Sequence, residues 1–393
     1  MGTMEINYDA VAELLTLGFV WGDNTIEGKK VNRTLVVPEF ETYKGATVLD
    51  VEEALKNSIE RVVKGKDQIG VHLSGGKDTR LIAALARSLG IEITGITFSD
   101  PGDVDEIIAR KVAKCLGIPH KICTVTTDNY SPEVMSEIVY DTDGLISFQS
   151  LLFEHIFNKK LANDFDVVLS WRLMSEIMDT WDFKKYPKNP LEAMKKRLGY
   201  LPIIKEEYVD TIEKKLNDLY KEKSLEEIML DTIVKNVYLR HIEATRKYVN
   251  IFPVVLDKEV LSSIYSLPLE KRRNCYLAKK IIKRNNPKLL CIPYSYSGYM
   301  IPLAFPYIIH QGLRLIHTRG KKKFFGQSDV AYHIRYTLKN FVESKINALN
   351  IDLINRDMVN KLLKEHLSGK QYHTNAICRL VTLRIRLENT MRE

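Results

Sequence analysis

The sequence predicts an α/β fold: a doubly wound parallel sheet, followed by a mainly helical half. Three observations support this. Short β-branched runs alternate with amphipathic helical stretches as far as Ser170. Glycines stand where two of those helices should stop, at Gly90 and Gly117. Past Pro187-Lys188-Asn189-Pro190 the strand signal gives way to charged amphipathic helices, from Leu191 to Arg246 and again from Tyr332 to the C-terminus.

In order along the chain, Val51 to Lys64 carries apolar residues at Val51, Ala54, Leu55, Ile59, Val62 and Val63, which is the spacing of one helix face. Gln68 to Leu73 reads as a short strand, and Asp78 to Leu89 as a helix closed by Gly90. Ile91 to Phe98 is a β-branched strand, Asp103 to Leu116 a helix, and His120 to Thr126 a third strand. Ser131 and Pro132 fit an N-cap and a first helical residue. Asp166 to Ser170 supplies a fourth strand. Strands and helices alternating at these lengths imply parallel pairing through right-handed crossovers, with ligands beyond the strand C-termini. The expected division is an N-terminal extension over 1–45, an α/β domain over 46–190 and a helical part over 191–393.

Composition excludes several classes. At 393 residues, 45% hydrophobic and 27% charged, the chain reads as an ordinary globular protein. No apolar run approaches the ~20 residues of a membrane helix, and the N-terminus lacks a basic then apolar leader. Five cysteines without a CxxC pair suggest neither a disulfide framework nor a zinc site, so a reducing cytoplasm is expected. The net charge of +8 is spread along the chain, with Lys321-Lys322-Lys323 the densest run. A solvated face accounts for it better than a nucleic-acid footprint.

The sharpest feature is Leu73-Ser74-Gly75-Gly76-Lys77-Asp78-Thr79-Arg80, placed after an apolar strand and at the opening of a helix. Two adjacent glycines let main-chain amides approach an anion, and the helix N-terminus adds N–H donors and a partial positive charge. Ser74 and Thr79 bring hydroxyls, Lys77 a cation, and Asp78 a ligand for magnesium. The spacing does not fit the GxxxxGK[ST] phosphate loop.

SGGKDT closely resembles the SGGxDS signature of PP-loop enzymes, the N-type ATP pyrophosphatases. Leu73 to Leu85 looks like the first motif of asparagine synthetases, β-lactam synthetases and lasso-peptide cyclases. Gly95 to His120 is similar to their next block, and Phe252 to Asp257 resembles the PFLD segment. Ser266-Leu267-Pro268 with Lys279 to Arg284 resembles the stretch C-terminal to PFLD. Leu14 to Asn24 looks like the linker entering that domain. The resemblance implies ATP and Mg2+ as cofactors, gripped by Ser74, Gly75, Gly76, Lys77, Asp78 and Thr79, with Asp78 on the metal and Lys77 and Glu176 catalytic. It also implies that Thr97 and Phe98 line the adenosine pocket, although a strand end is equally core. Asp105 and Glu106 read first as acids complementing their own helix dipole. The implied activity joins a small-molecule carboxylate to ammonia or an amine through an acyl-adenylate, with pyrophosphate released. ATP and an acidic substrate would both be drawn by the basic field.

Two departures qualify this. The family's glutaminase domain needs an N-terminal cysteine, whereas this chain begins Met1-Gly2 and its first cysteine is Cys115. Nitrogen is therefore expected as free ammonia, as an amine, or from a separate glutaminase subunit; a homodimer is left open. The family's second signature, GxGxDE after a strand, aligns with Ser170 to Glu176, so that Trp171 and Leu173 replace its glycines and Ser175 its aspartate. Asp179, one turn on, is a substitute acid. The expected RPK string is missing around Cys291 to Tyr299, which leaves Lys321, Lys322 and Lys323 as alternative cations. Two competing readings stay open: a PP-loop tRNA-modifying enzyme, favoured by the basic pI, and a nucleotide-binding pseudo-enzyme acting as a regulatory subunit, favoured by the altered second motif.

Overall fold

The structure, a computed structural model, describes residues 6–31, 33–124, 129–178, 192, 195, 203–297, 299–320 and 329–390. Helix α1 (Tyr8–Leu17) opens the chain, with Asn7 as N-cap and Gly18 closing it at φ 87°. Helix α2 (Val48–Val63) begins on a capping box, in which the Thr47 hydroxyl accepts from Leu49 and Asp50 while Asp50 accepts from the Thr47 amide. That cap sets the start of α2 three residues before the apolar periodicity becomes visible.

The strands and helices then alternate. Strand β1 (Ile69–His72) leads into α3 (Lys77–Ser88), β2 (Thr94–Phe98) into α4 (Val104–Leu116), and β3 (His120–Cys123) is followed by α5 (Pro132–Asp141) and α6 (Leu152–Lys160). Strand β4 (Val167–Ser170) leads into the short α7 (Met174–Met178). A fifth strand, β5 (Ile251–Pro253), completes the sheet in the order β3-β2-β1-β4-β5, and all four pairings are parallel. Strand β5 escapes sequence reading because it is three residues long and ends in proline. An edge strand tolerates proline because its outer side needs no donor.

Each sheet face carries its own core. Ile69, Val71, Leu73, Val167 and Leu169 pack with α2, α3, α4 and the helices Lys258–Tyr265 and Tyr276–Asn285. Ile96, Val168 and Ile251 face the other way, toward α1, α5, α6 and the C-terminal helices. This is the doubly wound arrangement expected from the sequence. Downstream, Glu206–Tyr220 and Leu239–Arg246 are helical, with a nine-residue π-helix over Leu230–Tyr238 between them. Of the chain's remaining helices, Thr374–Thr390 is the longest described, and it packs on α1.

Candidate active site

The phosphate-type loop lies beyond the C-terminus of the central strand β1, where doubly wound sheets place their ligands. Gly76 is the N-cap of α3 in extended conformation, with no side-chain cap bond. The loop is tied by its own hydroxyls. The Ser74 amide donates to Thr79 Oγ1 at 3.3 Å, the two hydroxyls lie 3.2 Å apart, and the Gly76 amide donates to Ser74 Oγ at 3.1 Å.

Gly75 is required sterically. A Cβ there would stand 2.6 Å from Asp105 Oδ1 and 2.6 Å from Ser295 Cβ. The Gly75 amide donates to Asp105 Oδ1 at 3.0 Å, and its carbonyl accepts from the Ser295 amide at 3.1 Å. The acidic pair at the start of α4 therefore divides its work. Glu106 accepts from Gly102 and Arg110, as a first-turn acid on its own helix should, while Asp105 reaches across to the loop.

Arg80, one residue past the motif, is fully buried. It donates to the carbonyls of Leu289 at 2.8 Å, Ile292 at 3.1 Å and Pro293 at 2.7 Å. Burial holds its guanidinium down to about 10, still cationic at neutral pH. Arg80 thus pins the segment from Leu289 to Ser295 against the loop. This is the region where the sequence lacks RPK, and its contact with the loop is main chain and serine. Sequence alone singles out neither Arg80 nor Ser295; the adjacency of Arg80 to the motif is the one available signal.

Lys77 and Asp78 are 4% and 8% exposed and form an ion pair at 2.6 Å. Across from them Ser175, at the family's aspartate position, donates to Asp78 Oδ2 at 2.5 Å and accepts from Lys77 Nζ at 3.3 Å. The structure therefore brings the two signature motifs together through a lysine, an aspartate and a serine. Leu173 holds φ 70°, a left-handed conformation that favours glycine, at the position where the family pattern has one. The backbone shape of that motif survives while the glycine does not.

Thr97 is fully buried, donating to the Leu73 carbonyl at 3.0 Å and lying 2.8 Å from His120 Nε2. Its hydroxyl couples β1 to β3 through β2. Phe98 stacks on Phe157 with centroids 3.9 Å apart. Glu176 accepts from the Tyr238 hydroxyl at 3.0 Å, so the end of the π-helix orients this carboxylate. Beside it, Arg172 pairs with Glu154, and its guanidinium lies 5.6 Å and 5.3 Å from the centres of Trp171 and Tyr238. Burial holds Arg172 down to about 10. Asp179, Lys321, Lys322 and Lys323 lie outside the described residues.

Among the described residues, no helix is long and apolar enough to cross a membrane. None gather three or more His, Cys, Asp or Glu side chains in a metal-holding group.

A Methanocaldococcus jannaschii protein named "Putative asparagine synthetase (glutamine-hydrolyzing) 1" is 34% identical over 84 residues, 21% of this chain and 15% of that protein's length. The structure of NMN synthetase from Francisella tularensis aligns over 58% of this chain and 96% of that one, at 15% identity and a TM-score of 0.24, an overlap too loose to bear on fold or activity. The asparagine synthase family matches residues 50–245, from α2 through the loop, the second motif and the helix carrying His241. Over those residues the chain belongs to the asparagine synthase family.

Proposed function

We propose that this protein is an ATP-dependent amide-forming ligase that activates a carboxylate as an acyl-adenylate and releases pyrophosphate. The observation that carries this is the Ser74–Thr79 loop, set beyond a central parallel strand and opening α3 within an asparagine synthase domain. A carboxylate is a poor electrophile because oxide would have to leave. Attack by a carboxylate oxygen on the α-phosphate of ATP expels pyrophosphate and gives a mixed anhydride, whose leaving group is AMP. An amine or ammonia then takes the acyl group.

The chain's own residues bind and orient. The Ser74 and Thr79 hydroxyls and the N-terminus of α3 offer donors to the departing pyrophosphate. Lys77 supplies a cation beside the same point, and Gly75 keeps the approach clear of a side chain. Thr97 and Phe98 form the floor at the end of β2 for the adenosine. Glu176, steadied by Tyr238, takes the proton that the attacking nitrogen must lose.

Magnesium is the metal the family implies. Asp78 meets Lys77 through one carboxylate oxygen and Ser175 through the other. Magnesium is commonly held by one or two carboxylates plus substrate phosphates. This donor set therefore suits a metal that arrives with the nucleotide and takes Asp78 as its protein ligand. Bound there, it would neutralise charge on the pyrophosphate.

The partners in this reading are a small-molecule carboxylate and ammonia, an amine or a separate glutaminase subunit, in a cytoplasmic setting. ATP/pyrophosphate exchange over a panel of carboxylic acids tests it, with AMP as the expected nucleotide product. ADP and phosphate as main products would reject it. A binding-only regulatory subunit is the second reading, favoured by the neutral Ser175 beside the Lys77–Asp78 pair. ATP binding with no exchange on any acid would select it.

A further inference from the structure

The proposed reaction leaves two histidines unused. His72 ends β1 with its ring edge-on to Phe98, centroids 5.5 Å apart, and both ring nitrogens are hidden from solvent without a hydrogen-bond partner. His241 is 2% exposed; its Nε2 lies 3.0 Å from Ser150 Oγ, while its buried Nδ1 has no partner. Both histidines feel the charge of Arg172. The Tyr238 ring lies 5.7 Å from His241 and sends its hydroxyl to Glu176. Buried polar atoms in native proteins are nearly always paired, so three orphaned ring nitrogens, on two histidines that both lie within the field of Arg172, point to a missing ligand.

The chemistry of the surroundings narrows that ligand. Among the described residues, Arg172 is matched by Glu154 as counter-ion and by the charge of Glu176, which leaves no surplus positive charge there to attract an anion. A neutral imidazole keeps one nitrogen as an acceptor. Acceptors and a carboxylate together suit a group rich in N–H donors. Burial beside Arg172 holds His72 down to about 3 and His241 well below the ordinary imidazole value. Surroundings that keep imidazole neutral also disfavour ammonium over amine, which keeps a nitrogen nucleophilic.

We infer that His72, His241 and Glu176 form the seat of the nitrogen nucleophile, ammonia or a primary amine. This rests on the ligase reading and specifies where its second substrate binds. In the step served, the nitrogen lone pair forms the C–N bond at the acyl carbon. The acyl C–O bond breaks with its electron pair leaving on the phosphate oxygen of AMP, and one nitrogen proton passes to the Glu176 carboxylate. The imidazoles orient the nitrogen and take no proton.

Histidine ring resonances of the full-length protein, assigned by NMR with His72→Gln and His241→Gln, test this during titration with ammonium chloride or methylammonium chloride. The expected result is saturable movement of both resonances with either salt, beyond a sodium chloride control. In amide formation, His72→Phe and His241→Phe should each raise KM for ammonium by about tenfold, the loss of roughly one hydrogen bond, without a matching rise in KM for ATP. Resonances that move with ATP alone, with a raised KM for ATP, would assign His72 to the nucleobase and overturn the inference. Resonances that ignore both salts and ATP would leave interior water as the occupant, with the same consequence. Failure of the ligase reading shows separately, as absent ATP/pyrophosphate exchange in the unaltered protein.

Discussion

At the scale of single residues, the loop is where sequence and structure agree most closely. SGGKDT predicts a strand-to-helix turn with converging donors, and the turn is there, its hydroxyls and amides linked within about one hydrogen-bond length. The predicted consequence is sharp at Gly75. A Gly75→Ala change forces Asp105 or Ser295 aside, and a displacement on the order of 1 Å should cost about a hundredfold in exchange rate. The measurement is exchange at saturating ATP; a loss under threefold would contradict a tightly fitted loop. The second motif is legible in the sequence only as a departure. Its pattern match fails at Trp171, Leu173 and Ser175, yet Leu173 keeps a glycine-like φ and Ser175 still faces Asp78. Restoring charge with Ser175→Asp should tighten magnesium in the presence of ATP, read as a lower magnesium requirement for exchange. Glu176→Gln should slow amide formation by about a hundredfold or more, the usual range for a lost general base, while sparing exchange. Equal losses in both half-reactions would move Glu176 from proton acceptor to binding group.

Secondary-structure elements carry the next level. Three of the four strands read from the sequence, with their helices, have a glycine or proline at a border, while the fourth, Asp166 to Ser170, is readable from its apolar run alone. What the sequence could not show is how elements distant in the chain close the site. Arg80 on α3 holds the carbonyls of Leu289, Ile292 and Pro293, and Tyr238, at the end of a π-helix, orients Glu176. Neither contact has a periodic signature, because each depends on tertiary packing rather than on local spacing. Arg80→Met should strand those carbonyls and remove several charge-assisted bonds, for a loss of about 3 kcal/mol or more in stability. Chemical denaturation reads it directly. A variant as stable as the parent, with unchanged exchange, would remove Arg80 as the brace between α3 and the Leu289–Ser295 segment.

Across the whole molecule, the two sheet faces support different tasks. One core packs α2, α3 and α4 with the helices Lys258–Tyr265 and Tyr276–Asn285, and the other joins the sheet to α1, α5, α6 and the C-terminal helices. Helix α1 belongs to the second: Val11, Leu14, Leu15 and Leu17 are buried, and Arg379 donates to the carbonyls of Leu15 and Thr16 at 3.2 Å and 2.6 Å. Chain ends more than 350 residues apart thus meet in one core, a contact that no local pattern announces. Deleting residues 1–18 should remove burial worth about 6 kcal/mol or more and abolish the cooperative unfolding transition of the helical half, as followed by circular dichroism. The central claim concerns chemistry at the other end of the sheet, and ATP/pyrophosphate exchange on the intact chain tests it most directly. Label from pyrophosphate should enter ATP only when a cognate carboxylate is present, and Asp78→Ala should abolish it. Exchange that proceeds undiminished in Asp78→Ala, or turnover of ATP to ADP and phosphate in the unaltered protein, would contradict an acyl-adenylating site at the Ser74–Thr79 loop.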